Sequence, residues 1–305
     1  MPTTSASSSP IIFYDIATRP PVEKTCCSPN PWKSRLALKF KDVALKVPAC
    51  RKFADGKDFF TLPIIEDPAT GSLIGDSFDI AVYLHKTYPS SGGGDLFPAQ
   101  TLDFDFKHPF IQVPLSECRD SEFPEYAKLN MNVDAAFTAH TQLTVQGFPF
   151  DPATEDITRS DFAKRVGVTR WEDLALVGEE RDKLMDSFRD MLGGLGKLFM
   201  TDTTGPFLLG TKVSYADMMV GAWLRMMHVT LPESEWTQVT SWHHGLFGKF
   251  SLLTNLSHVT LHYRAAQGCS DSIVNSRQEA INARGASYYR YGCLLRDIMI
   301  DPDSA

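Results

Sequence analysis

The first hydrophobic run, Ile11-Ile12-Phe13-Tyr14, closes at Asp15 and has the length and continuity of a buried strand. A polar stretch follows through Pro20-Pro21 to Ser28. Trp32, Leu36 and Phe40 then recur every four residues, which predicts a helix over 32–41 with Pro31 suited to its first turn. Ala44–Val47 has the composition of a second strand. Leu62-Pro63-Ile64-Ile65-Glu66 reads as a third, turning at Asp67-Pro68-Ala69-Thr70-Gly71 into a fourth at Ser72–Ile74, so the last two form a hairpin. Asp76-Ser77 opens a helix that carries Ile80, Ala81, Leu84 and Tyr88 on one face and stops at Pro89.

From Thr101 onward alternating strand patterns give way to helical periodicity, clearest over Arg181–Phe199 and Tyr215–Val229. The pattern therefore predicts an α/β domain over 11–98, a mainly helical domain over 99–250, a disordered stretch over 1–10 and an atypical tail over 251–305. The connection from Lys41 to Thr61 is short. A crossover between parallel strands needs a dozen or more residues besides the strands, and Pro48–Lys52 leaves room for barely one helical turn, so the second strand and helix region is shortened.

Composition narrows the partners. The 305 residues carry a formal charge of −7 without a Lys/Arg cluster, which speaks against a nucleic acid. The best apolar stretch, Met218–Met227, is interrupted by Arg225 and falls short of the ~20 residues that span a bilayer. Six cysteines show neither CxxC spacing nor the density of a disulfide-stapled domain, and eight histidines lack HExxH or Cys/His ligand spacing. Cytoplasmic location, free thiols and no metal are the expectations.

Four local constellations could carry chemistry. Thr25-Cys26-Cys27-Ser28-Pro29-Asn30-Pro31-Trp32-Lys33 sets hydroxyls and thiols before a helix N-terminus, where the dipole favours an anion such as a thiolate. Ser28 serves there either as a thiolate's hydrogen-bond donor or as a plain helix cap. Cys27 and Cys26 are competing nucleophiles. Thr61-Leu62-Pro63-Ile64 puts a proline at the start of an apolar strand, a place for a cis bond that frees the preceding backbone or for an ordinary trans edge proline. Gly75-Asp76-Ser77 could take the two ends of an amino-acid zwitterion or simply cap a helix. Ser214-Tyr215-Ala216-Asp217 has the spacing of a capping box, with Asp in the Glu/Gln position.

In this order and spacing the four resemble the glutathione transferases, more narrowly the fungal-specific class A enzymes related to bacterial lignin β-etherases. Ser-Pro-Asn-Pro-Trp-Lys-Ser-Arg (28–35), Phe-Ala-Asp-Gly (53–56), Thr-Leu-Pro (61–63), Gly-Asp-Ser-Phe-Asp-Ile-Ala-Val-Tyr-Leu (75–84) and Ser-Tyr-Ala-Asp (214–217) carry the resemblance, which spans residues 11–250. It implies a thioredoxin-like α/β N-terminal domain plus an all-α C-terminal domain, with glutathione as co-substrate and a small hydrophobic electrophile as partner; a homodimer is compatible with the family. It further implies Ser28 as the catalytic residue and Trp32, Lys33, Leu62, Pro63, Asp76 and Ser77 as the glutathione site. Arg51 or Lys52 would reach the glycyl carboxylate, and Trp223 and Met227 are candidate acceptor contacts. The alternatives are a non-catalytic binding or regulatory protein and a thiol-disulfide enzyme using Cys27.

Overall fold

The computed structural model describes residues 10–16, 18–41, 51–52, 58–59, 62–108 and 122–256. The expected strand over Ala44–Val47, residues 1–9 of the N-terminal stretch and residues 257–305 of the tail lie outside these.

Strands β1 (Ile12–Tyr14), β4 (Ile64–Asp67) and β5 (Ser72–Gly75) form an antiparallel sheet in the order β1-β4-β5. The β4–β5 hairpin turns where Gly71, at φ 70°, adopts a conformation that costs glycine little. Its turn is anchored by buried Asp67, which accepts hydrogen bonds from Ala69 N at 2.9 Å, from Tyr83 Oη at 2.6 Å and from Tyr88 Oη. In the shortened region, β2 (Arg51–Lys52) pairs antiparallel with β3 (Asp58–Phe59).

Register decides which residues share an end of the sheet. Tyr14 stands opposite Ile64, and Ile64 opposite Gly75. The chain leaves β1 after Tyr14, enters β4 just after Pro63 and leaves β5 at Gly75, so three segments with candidate chemistry meet at one edge. One residue further along, Phe13, Ile65 and Ile74 belong to the face that packs into the main core.

Helices α1 (Val22–Thr25), α2 (Pro29–Phe40) and α3 (Ser77–Thr87) complete the first part. Ala37 and Leu38 of α2 and Phe78, Ile80, Ala81 and Leu84 of α3 bury the i, i+3, i+4 stripe that the sequence pattern shows. Lys41, fully buried just past α2, donates from Nζ to the carbonyls of Tyr88 at 2.9 Å, Pro89 at 3.4 Å and Gly94, and so ties down the turn that ends α3.

The remainder is helical: α4 (Pro124–Thr138), α5 (Glu155–Val166), α6 (Gly178–Gly196), α7 (Tyr215–Thr230) and α8 (Glu233–Leu256). One apolar core runs through both parts without a gap. Tyr215, fully buried at the start of α7, donates its hydroxyl to Ser77 O at 2.8 Å and locks the helical part onto the first turn of α3. The expected cap on α7 is present: the Asp217 carboxylate accepts from Ser214 N and Ser214 Oγ, each at 2.8 Å, and from Leu208 N at 2.8 Å. Burial pushes its carboxyl up to about 6 against those three bonds. The Gly193–Gly196 run lies within α6.

Helix α8 is interrupted at Trp242–Gly245, where His243, His244 and Gly245 take φ values of 51°, 61° and 74°. Left-handed backbone costs an L-residue about 1–2 kcal/mol. The ring of His243 is held by Arg189 O at 2.8 Å, whereas the side chain of His244 is exposed. His244→Gly is therefore expected to stabilise the protein by about 0.5–1 kcal/mol after the extra unfolded-chain entropy of glycine is subtracted. A urea midpoint that fails to rise would show that His244 bears no backbone strain.

Candidate functional site

Ser28 is the N-cap of α2 and adopts extended backbone at φ −115° and ψ 132°. The preceding turn is set by its own polar atoms. Trp32 Nε1 donates to Cys26 O at 2.8 Å, and the Cys26 thiol points at Ser28 O at 3.8 Å and Asp15 Oδ1 at 3.7 Å. Arg35 holds the same Asp15 through Nε at 2.6 Å and Nη2. A serine in this position ordinarily bonds a first-turn N–H, yet the Ser28 side chain makes no capping bond. Pro29 and Pro31 explain part of this, because neither carries an N–H to offer. Of the other two caps in the sequence pattern, Asp76 accepts from Phe78 N at 2.9 Å, and the Ser214 hydroxyl donates to the Asp217 carboxylate. Ser28 thus fills a cap position with its hydroxyl, 7% exposed as a residue, not engaged in capping.

The Leu62–Pro63 bond is cis and leads directly into β4. Asp76 follows β5 with φ 72° and ψ 137°, a region that a non-glycine residue occupies at a cost of about 1–3 kcal/mol and that concentrates at ligand sites. Ser77, 3% exposed, directs its hydroxyl to Asn30 Oδ1 at 3.5 Å, a long contact that joins the N-terminus of α3 to that of α2. The register brings Leu62-Pro63 and Asp76-Ser77 to one end of the sheet, and the Ser77–Asn30 contact sets the N-terminus of α2, which Ser28 caps, beside that of α3. Such ends favour anions.

Other expected residues sit elsewhere. Lys33 is fully buried, and its ammonium donates to Asn130 Oδ1 at 2.8 Å and pairs with Asp134 Oδ1 at 2.5 Å on α4. Helical spacing turns it toward the helical part, away from the α2 end that carries Ser28. Trp32 is half-buried, with the guanidinium carbons of Arg35 and Arg225 5.0 Å and 5.2 Å from its ring centroid. Trp223 and Met227, the candidate acceptor contacts, lie in the core: Trp223 is 2% exposed, stacked on Phe137 at 5.3 Å and bonded through Nε1 to Asp134 Oδ1 at 2.7 Å, and Met227 is fully buried. The side chains of Arg51 and Lys52 lie outside the described part of the molecule.

The two cysteines are poor nucleophiles in this setting. Burial pushes the Cys27 thiol up to about 12, and burial together with the Asp15 carboxylate pushes Cys26 well above the ordinary thiol range. Both are protonated near neutrality, the unreactive form. Among the described residues no group of three or more His, Cys, Asp or Glu is placed to hold a metal, and no helix is long and apolar enough to cross a membrane.

Asn30 was visible in the sequence only as the middle of Ser-Pro-Asn-Pro; its link to Ser77 joins positions 47 apart and has no periodic signal. The same holds for Tyr215, whose motif suggested a cap and whose hydroxyl instead reaches the site's α3 wall.

Residues 138–256 match the family described as glutathione S-transferase, C-terminal domain. The glutathione S-transferase-like protein ustS of Aspergillus flavus is 26% identical over 255 residues, covering 74% of this chain and 83% of that protein. The glutathione S-transferase CsGST63524 of Ceriporiopsis subvermispora, solved in complex with glutathione, superimposes with a TM-score of 0.61 at 27% identity over 82% of this chain and 98% of its own. Glutathione transferase GSTFuA3 from Phanerochaete chrysosporium shares the fold at a TM-score of 0.62 and 23% identity, covering 82% of this chain and 97% of its own.

Proposed function

We propose, for a chain that fits the fungal glutathione transferase family with a thioredoxin-like N-terminal domain and a helical C-terminal one, that it activates glutathione for attack on a hydrophobic aromatic or ether-linked electrophile. The observation that carries this reading is the Ser28 hydroxyl, which stands at a helix N-terminus without a capping bond. A hydroxyl free of capping can donate to the glutathione sulfur and favour its thiolate. Leu62, through its backbone before Pro63, would hold the cysteinyl part, and Asp76 with Ser77 the γ-glutamyl end. Ser77 would have to turn its hydroxyl from Asn30 to the ligand's carboxylate, an exchange made easy by the 3.5 Å length of that contact.

The reaction would form one carbon–sulfur bond and release the electrophile's leaving group, with no covalent intermediate on the protein. Its catalytic contribution is electrostatic, the stabilisation of a charged nucleophile by a fixed donor. The raised thiol pKa values of Cys26 and Cys27 favour this over a thiol-disulfide enzyme.

The test is a titration of glutathione bound to the full-length chain, following thiolate absorbance against pH in wild type and Cys27→Ala. Saturable binding with a thiol pKa below that of free glutathione, equal in both proteins, is the expected result. Folded protein that binds no glutathione would overturn the transferase reading, and a thiol pKa lowered in wild type but not in Cys27→Ala would transfer the role to that thiol.

A further inference from the structure

The backbone just ahead of Ser28 is gripped from one strip of α2. Trp32 Nε1 donates to Cys26 O at 2.8 Å. The Cys26 thiol lies 3.7 Å from Asp15 Oδ1, and the other oxygen of that carboxylate accepts from Arg35 Nε at 2.6 Å. Trp32 and Arg35 are three residues apart and therefore neighbours on the helix surface. Cys26 is thus held at its carbonyl by one of them and, through Asp15, at its thiol by the other. The Trp32 ring is itself held: the guanidinium carbon of Arg35 stands 5.0 Å from its centroid and that of Arg225, from α7, 5.2 Å. Arg225 Nη2 also reaches Lys24 O at 3.4 Å, two residues before Cys26.

Ser28 depends on this grip because its own helix does not orient it. Its hydroxyl makes no capping bond, and Pro29 and Pro31 offer no N–H. The direction of its side chain is therefore set by the backbone of residues 26–28. Of the two ties on Cys26, the indole bond is the stronger, because it has ordinary N–H···O length while a thiol at 3.7–3.8 Å is a weak donor. Cys26 is fully buried, so water cannot replace the indole without a rearrangement of the turn.

We propose that Trp32 is a positioning residue, whose bond to Cys26 O fixes the turn from which the Ser28 hydroxyl meets the glutathione sulfur. The proposal rests on the transferase reading above. The family resemblance implies a direct glutathione contact for Trp32. An indole has one N–H to give, and here it goes to Cys26 O while guanidinium groups stand over the ring, so Trp32 acts on the ligand through Ser28. A reacting group displaced by about 1 Å can lose about 100-fold in rate. The Cys26 thiol contact and the Arg225–Lys24 contact stay in place without the indole N–H, so its removal should have a partial effect.

The test follows thiolate absorbance of glutathione bound to the full-length chain against pH. Trp32→Phe, which keeps an aromatic ring and drops the N–H, is expected to raise the bound thiol pKa by about half to one unit, a three- to tenfold loss of thiolate near neutral pH. Below that pKa, where the thiol is protonated both bound and free, glutathione affinity is expected to stay within about twofold of wild type. In a Ser28→Ala background the same exchange is expected to leave the thiol pKa where Ser28→Ala alone puts it, because a positioning residue then has nothing to position. A 3-benzothienylalanine placed at position 32, which keeps the bicyclic ring and exchanges N–H for sulfur, is expected to match Trp32→Phe and so separates the donor from the ring's bulk. An unshifted thiol pKa in either variant, an equal shift in the Ser28→Ala background, or a loss of affinity below the thiol pKa would overturn the role of Trp32 alone. Wild-type protein that binds no glutathione would remove the transferase reading, and this role with it.

Discussion

Ser28→Ala is expected to raise the pKa of the bound glutathione thiol by about one to two units, the equivalent of one charge-assisted hydrogen bond. Near neutral pH this lowers the thiolate population, and with it the conjugation rate, about 10- to 100-fold. Glutathione affinity should change far less, because the proposed contacts at Leu62 and at Asp76-Ser77 are untouched. The structure makes this experiment unusually clean. Removing a capping serine ordinarily costs about 0.5–2 kcal/mol, most of it the lost capping bond, and Ser28 makes no such bond. The melting temperature should therefore stay close to that of wild type. An unchanged rate and thiolate pKa with glutathione still bound would remove Ser28 from catalysis.

Lys33→Met is expected to act on stability. The Lys33 ammonium is fully buried between Asn130 Oδ1 and Asp134 Oδ1, and the same Asp134 oxygen accepts from Trp223 Nε1. Removing one partner of a buried ion pair costs about 3–5 kcal/mol because the other charge is left uncompensated. The side chain of Asp134 retains 15% exposure, which places the expected loss near the low end, at about 3 kcal/mol. Asp134→Asn in the Lys33→Met background removes the stranded charge and should recover at least about 1 kcal/mol in a double-mutant cycle. Urea unfolding of the four proteins measures both terms. Simple additivity would mean that the pair carries no coupling and that α2 is held to α4 by apolar packing alone.

The two experiments separate functions that lie five positions apart on one helix. Ser28 caps its N-terminus, and Lys33, rotated toward the helical part, joins α2 to α4 while Asp134 extends the link to α7. A polar residue inside a matching motif can thus be either a ligand contact or a structural tie, and the helix period decides which face it serves.

What the sequence determined by itself was local. The apolar run at Ile12–Tyr14, the hairpin around Gly71, the stop at Pro89 and the cap at Ser214–Asp217 each depend on residues a few positions apart, and each appears where the pattern puts it. Helices α4, α5 and α8 were not individually legible: α5 has a weak apolar stripe, α4 buries polar Asn130 and Asn132 among its apolar residues, and α8 is broken at His243–Gly245. Only the tertiary structure decided which marked residues meet. Sheet register carries Tyr14, Ile64 and Gly75 to one edge, and packing of α7 turns Trp223 and Met227 inward while leaving Arg225 and His228 on the opposite side. The physical reason is that turns, caps and helix periods arise from short-range sterics and hydrogen bonds, whereas the burial of a charge such as Lys33, or the joining of Asn30 to Ser77, depends on surfaces brought together from distant parts of the chain.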